Sequence, residues 1–142
     1  SVVRVVDGDT LLVQTADGRR QRLRLIGVDS PETHAGPKLD RDAARSGQDT
    51  AAIRALGARA SRFTRERLAG RAVSVELDVQ PVDRYGRLLA YVWVGDELYN
   101  AAIVREGYAS LMTMPPNVKY RDVFAACYAL ARDARHGLWA GE

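Results

Sequence analysis

Several things are scarce in this chain of 142 residues. It has one cysteine, Cys127, which excludes an intrachain disulfide framework and is expected to be a buried, inert thiol. It has two histidines, His34 and His136, and no Cys/His cluster, which argues against a zinc site. No apolar run approaches about twenty residues, so no membrane-spanning helix is expected. The opening residues lack a basic segment followed by an apolar stretch, so no signal peptide is expected within the sequence. Of 21 basic residues only Lys38 and Lys119 are lysine. The formal charge is +3, which permits an anionic partner without demanding one. No internal repeat or low-complexity tract is present.

What remains is an ordinary globular composition, 46% apolar, of a length that suits one domain over residues 1–142. Val2 to Val6 and Leu11 to Val13 read as strands interrupted at Asp7-Gly8-Asp9-Thr10, where Gly8 suits a bulge or bend. Asp17-Gly18 signals a hairpin turn. A third strand, Arg20 to about Ile26, alternates Leu23 and Leu25 with Arg22 and Arg24. Thr33 to Asp49 is polar and reads as a long loop. Asp49 or Thr50 caps a helix carrying Ile53, Leu56, Ala60, Phe63 and Arg67 as its stripe, weakened at Gly57 and closed by Gly70. Strands follow over Val73–Leu77 and Arg87–Val94. A short helix is expected to be capped by Asn100 and closed by Gly107. Ala109 to Met112 reads as a last strand, and a final helix is expected to be capped by Asn117 and stopped by Gly137. The pattern is α+β and mainly β: a small five-stranded Greek-key barrel of the oligonucleotide-binding type, with three α-helices.

Charge gathers where strands bend or end. Arg24-Leu25-Ile26-Gly27-Val28-Asp29-Ser30-Pro31-Glu32 carries a guanidinium along a strand and two carboxylates at its exit, since Pro31 cannot continue a sheet. Asp7-Gly8-Asp9 and Asp83-Arg84-Tyr85-Gly86-Arg87 are further such stretches. If Asp9 and Asp29 converge, they offer hard oxygens suited to calcium, magnesium or manganese, with the Ser30 carbonyl as a neutral ligand. Glu32 is a candidate to position or deprotonate a water, and Arg24 and Arg87 to grip a phosphate. Each signal also has a plainer reading. Asp7 and Asp9 suit a solvated turn, Asp29 a turn cap, and Arg24 and Arg87 structural ion pairs with these same acids.

Three segments together are specific. Val6-Asp7-Gly8-Asp9-Thr10, Arg24 through Thr33, and Asp83-Arg84-Tyr85-Gly86-Arg87-Leu88-Leu89-Ala90-Tyr91 resemble, in order, the signature segments of the staphylococcal nuclease family. Weaker agreement continues through Asn100, Ala109, Pro116-Asn117 and Gly137-Leu138-Trp139. The resemblance implies a calcium-dependent phosphodiesterase acting on DNA and RNA, cutting at the 5′ oxygen and leaving 3′-phosphate ends. It implies calcium ligands at Asp9, Asp29 and Ser30, a general base at Glu32, and phosphate and transition-state contacts from Arg24 and Arg87. It places Tyr85 at the nucleotide's terminal phosphate, with Arg84 standing where the family has lysine.

Two departures stand out. The segment after Glu32 is long for the family. Met112 and Met114 stand where its best-known member has two tyrosines beside the base, so weaker base binding is expected. The competing class is a binding module of the same fold that has lost cleavage, but Asp9, Arg24, Asp29, Glu32 and Arg87 are all present. The expected partners are single-stranded or frayed DNA and RNA, with no membrane. The chain is expected to be monomeric, and the family's habit leans toward a secreted or cell-envelope location. Trp93 and Trp139 are expected in the core or a lid.

Overall fold

The computed structural model describes residues 1–31, 40–41, 43–44, 47 and 49–140. Among the described residues eight short strands form: β1 (Val2–Asp7), β2 (Thr10–Gln14), β3 (Arg20–Leu25), β4 (Gly27–Asp29), β5 (Ser74–Glu76), β6 (Leu88–Val94), β7 (Glu97–Leu98) and β8 (Ser110–Met112). The helices described in full are α1 (Thr50–Leu68), α2 (Tyr99–Arg105) and α3 (Arg121–Asp133), followed by a single 3₁₀ turn at Gly137–Trp139. This is the expected α+β fold with three helices, but its sheet does not close. The path runs β1-β2-β3-β6-β5, with β7 on β6 and β4 paired to β8 apart. The gap beside β1 is spanned by single bonds, Val2 N to Arg71 O and Gly70 N to Val2 O.

Strand alternation builds the core. Leu11, Val13, Leu23 and Leu25 are buried on one sheet face with Val2, Val28, Val92, Ile103 and Val104. A second cluster gathers Ile26, Leu89, Tyr91, Leu98 and Phe124. The β3 chain turns out of the sheet at Ile26-Gly27, and Phe124 packs directly on Gly27. Gly27 has φ +84°, and a Cβ there would lie 2.5 Å from the Phe124 ring, so only glycine serves. That turn starts β4, which delivers Asp29.

Some sequence expectations hold locally. Asp49 caps α1, its carboxylate accepting from Ala52 N at 2.7 Å. Others are corrected. Gly57 does not interrupt α1; it is buried within a continuous helix whose inner face is Ile53, Gly57, Ala60, Thr64 and Leu68. Small residues on that face let the helix approach the 7–9 bend closely. Asn100 does not cap α2, which starts at Tyr99 without a side-chain cap. Fully buried, it accepts from Val92 N and donates to Ile26 O and Ala90 O, pinning α2 to β6 and to the turn before β4. Asn117 does not cap α3 either, and α3 ends at Asp133 rather than at Gly137. Residues 40, 41, 43 and 44, expected in the loop, are helical; the remainder of the 33–48 segment lies outside the described residues apart from Gly47. Cys127 is half-buried, and burial pushes its thiol pKa up, in keeping with an inert side chain.

Candidate active site

The bend between β1 and β2 is set by packing. Gly8 is buried, and a Cβ there would lie 2.9 Å from Ser30 Cβ and 3.1 Å from Ala60 Cβ. Thr64 of α1 donates to Gly8 O at 2.9 Å, and Tyr99 OH donates to Thr64 in turn. So α1 and α2 clamp the bend that carries Asp9 against the exit of β4. Asp9 is 5% exposed and accepts from Thr10 Oγ1 and from Ser30 N, both at 2.9 Å.

Arg24 stands at the centre. It lies on β3 opposite Thr10 of β2 and Leu89 of β6, and it is 6% exposed. Its Nη1 donates to Leu25 O at 2.8 Å and to Val28 O at 2.7 Å. Its Nη2 lies 3.5 Å from Asp9 Oδ2, 3.4 Å from Asp29 Oδ1 and 3.6 Å from Met112 Sδ. The two carboxylates therefore converge on one guanidinium nitrogen. A buried cation between two acids is held at high electrostatic stakes, since removing one partner strands the others.

The opposite rim is the Asp83–Arg87 loop. Asp83 Oδ1 accepts from Tyr85 N and Arg87 N, and Oδ2 accepts from Arg87 Nε at 2.8 Å. Burial works to raise the Asp83 pKa, but the Arg87 backbone and guanidinium and the Tyr85 N–H outweigh it and hold it below the usual value. No described residue takes the Nη groups of Arg87, which leaves them for an anion. Arg84 donates to Tyr85 OH at 2.7 Å and lies 4.9 Å over the ring, with Arg87 5.6 Å from it. Asn117 anchors the approach to this loop at Gln80.

All of these line one cleft of about 470 Å³: Asp9, Arg24, Asp29 and Ser30 on one wall, Arg84, Tyr85 and Arg87 on another, Met112 and Met114 beside them. Glu32 lies outside the described residues. Arg24 forms the structural ion pairs with Asp9 and Asp29 that the plainer reading anticipated, whereas Arg87 pairs instead with Asp83 of its own loop. Sequence reasoning missed Asp83 as the hub of its loop, although the Asp-x-x-x-Arg spacing signals it. It also missed Arg41, which lines the cleft from the 33–49 segment, and Thr64, for which no sequence signal exists.

The donors suit a hard divalent cation in kind, two carboxylates whose oxygens approach the same point. Among the described residues no group of three or more His, Cys, Asp or Glu is placed to hold a metal ion. The residues thus fit such a cation only with backbone or water oxygens completing its shell.

Residues 22–141 match the family described as staphylococcal nuclease homologue. The chain is 38% identical over 138 residues to a thermonuclease of Staphylococcus intermedius, covering 97% of this chain and 74% of that protein. A thermonuclease of Staphylococcus hyicus is 37% identical over 98% of this chain and 74% of its own length. The chain belongs to the staphylococcal nuclease family. Endonuclease YncB of Bacillus subtilis is 29% identical over 96% of this chain and 59% of its own length. Among the described residues no helix is long and apolar enough to cross a membrane.

Proposed function

We propose that this staphylococcal nuclease family member is a calcium-dependent nuclease that hydrolyses phosphodiester bonds of DNA and RNA and leaves 3′-phosphate ends. The observation that carries the reading is the convergence of Asp9 and Asp29 on Arg24, facing Arg87 across one cleft. The names of the relatives, thermonuclease and endonuclease, support it.

Asp9 and Asp29, with the Ser30 carbonyl, would hold the cation. When bound, it would supply positive charge against the phosphate and help order water. Arg87 presents its Nη donors to the non-bridging oxygens, and Asp83 keeps that guanidinium from swinging away. Arg24 adds a fixed positive charge beneath them, where the low local dielectric gives it leverage on charge that builds in the transition state. Glu32 takes a proton from the attacking water; the water oxygen bonds to phosphorus, the bond to the 5′ oxygen breaks, and that oxygen takes a proton from solvent water and leaves as a hydroxyl. Tyr85, with Arg84, faces the terminal phosphate of the bound strand, and Met112 and Met114 face its base. The substrate is single-stranded or frayed nucleic acid, and the protein acts as a secreted or cell-envelope monomer.

The test is cleavage of a single-stranded DNA and a matched RNA with calcium, with magnesium and with chelator, the product ends being identified. Calcium-dependent cleavage leaving 3′-phosphates, lost in Glu32→Gln with binding retained, is the expected result. Cleavage unaffected by chelator, or full activity in Glu32→Gln, overturns the mechanism. Salt-sensitive binding with no cleavage would make the chain a binding module instead.

A further inference from the structure

We propose that Arg4, Arg20 and Arg22 form a phosphate track on the outer face of β1, β2 and β3, continuing the cleft and holding the nucleic-acid strand beyond the bond to be cut. The inference rests on the nucleic-acid reading above and adds a surface to it.

The β3 strand alternates. Leu23 and Leu25 are buried inward, so Arg20, Arg22 and Arg24 share the outer face. Arg24 is the last of the three, sunk into the cleft, while Arg20 and Arg22 are exposed. Cross-strand pairing extends the row. Arg22 pairs with Leu12, and Leu12 with Arg4, which is also exposed. Residues two apart along a strand are separated by about 6.8 Å, and neighbouring strands by about 4.8 Å. Arg20, Arg22 and Arg24 therefore stand in a row whose step is of the order of the spacing between consecutive phosphates in an extended single strand, and Arg4 flanks Arg22 two strands away, at about 9.6 Å.

Charge on this face is unbalanced. The chain carries 21 cations against 18 acids. Apart from Asp7, which sits opposite Thr10 at the cleft end, the outward residues Arg4, Leu12, Gln14, Arg20 and Arg22 include no carboxylate. Some arginines elsewhere have acid partners, among them Arg19 with Asp17, Arg67 with Glu97 and Arg87 with Asp83. Arg4, Arg20 and Arg22 have none among the described residues. Leu12, half-buried between Arg4 and Arg22, supplies apolar surface for a sugar or base edge. The strand that carries the row is also tied to the cleft rim, because Gln21 of β3 donates to Gly86 O at 3.2 Å, inside the loop of Arg84 and Arg87. Continuity with the cleft and the even step from Arg20 to Arg24 along β3 favour a nucleic-acid strand over a lipid surface, which needs neither.

The experiment compares the wild-type chain with Arg4→Gln/Arg20→Gln/Arg22→Gln, using a dinucleotide and a twelve-nucleotide single-stranded DNA. All three substitutions are on the surface, and circular dichroism checks the fold. Dissociation constants are read by fluorescence anisotropy over a salt series, and KM by cleavage. The expected result is an unchanged dinucleotide KM and at least about tenfold weaker binding of the longer strand, with its log–log salt slope reduced by about two, near 0.7 per lost phosphate contact. Arg→Lys at the same positions should restore most of the slope. Equal effects on both lengths, or none on either, overturn the track. So does a loss confined to binding vesicles of phosphatidylserine, which would assign the face to a membrane. Binding is read without turnover, so a protein that cleaves nothing still tests the track, while failure of the nuclease reading shows only in the cleavage arm.

Discussion

Asn117 and the backbone of Gln80 bond to each other twice: the Asn117 amide accepts from Gln80 N and donates to Gln80 O, each at 2.8 Å. Asn117 is 3% exposed and lies between β8 and α3, so the pair ties that connection to the segment entering the Asp83–Arg87 loop. Asn117→Ala should lower stability by about 1–2 kcal/mol, because two part-buried backbone groups of Gln80 lose their partner. Asn117→Asp keeps the bond from Gln80 N and loses the other, so it should fall between. Urea denaturation orders the three proteins, and equal midpoints would refute the bracket.

Arg87 should respond to its own loss and to that of Asp83 in a linked way. Arg87→Ala should reduce turnover by about 10²–10³-fold, the range for a donor aimed at developing charge. Asp83→Ala should reduce it less, by freeing the guanidinium. The double variant should be no worse than Arg87→Ala alone, since Asp83 acts through Arg87. Additive losses in kcat/KM would show that Asp83 has an independent role.

Gly27 offers a stability test of the turn that places Asp29. Gly27→Ala combines a left-handed φ with overlap on Phe124 and should cost about 2–4 kcal/mol. Gly18 has a similar φ of +85° but open space around it, so Gly18→Ala should cost only about 1 kcal/mol. Denaturant midpoints of the two variants separate crowding from backbone strain.

Met112 and Met114 line the cleft where stacking on a base is available. Replacing both with tyrosine should tighten a nucleotide bisphosphate by about 1–3 kcal/mol per stacked base. Titration calorimetry reads this directly, and an unchanged dissociation constant counts against their facing the base.

Acid should unfold the protein through a set of depressed carboxylates. Hydrogen bonding from Lys119 lowers the Glu76 pKa, and the Tyr91 hydroxyl lowers that of Asp78. Asp83 is lowered by its loop despite burial. Each has a folded pKa below its ordinary value of 4.5 for Glu76 and 3.8 for the aspartates. Their contribution is complete above those values and disappears as pH falls through the folded pKa. Urea midpoints should hold from neutral pH to about pH 5 and drop below about pH 4. Glu76→Gln should flatten that acid limb, and an unchanged profile would remove Glu76 from it.

What the sequence by itself determined was local and chemical. Alternation over Arg20–Leu25 set which side chains face outward, Asp49 announced the start of α1, and three charged segments identified the family and its cleft residues. Tertiary structure decided the rest. Asn100 and Asn117 carry good capping chemistry, but a buried amide that bonds distant backbone, Asn100 at β6 and Ile26 and Asn117 at Gln80, outcompetes a cap at an exposed helix end. The sheet is left open here because β1 bonds to the turn before β5, at Gly70 and Arg71, rather than along β5 itself. The approach of Asp9 to Asp29 depends on Thr64, Ala60 and Gly8 packing across about fifty residues of chain, and no short-range pattern encodes contacts at that separation.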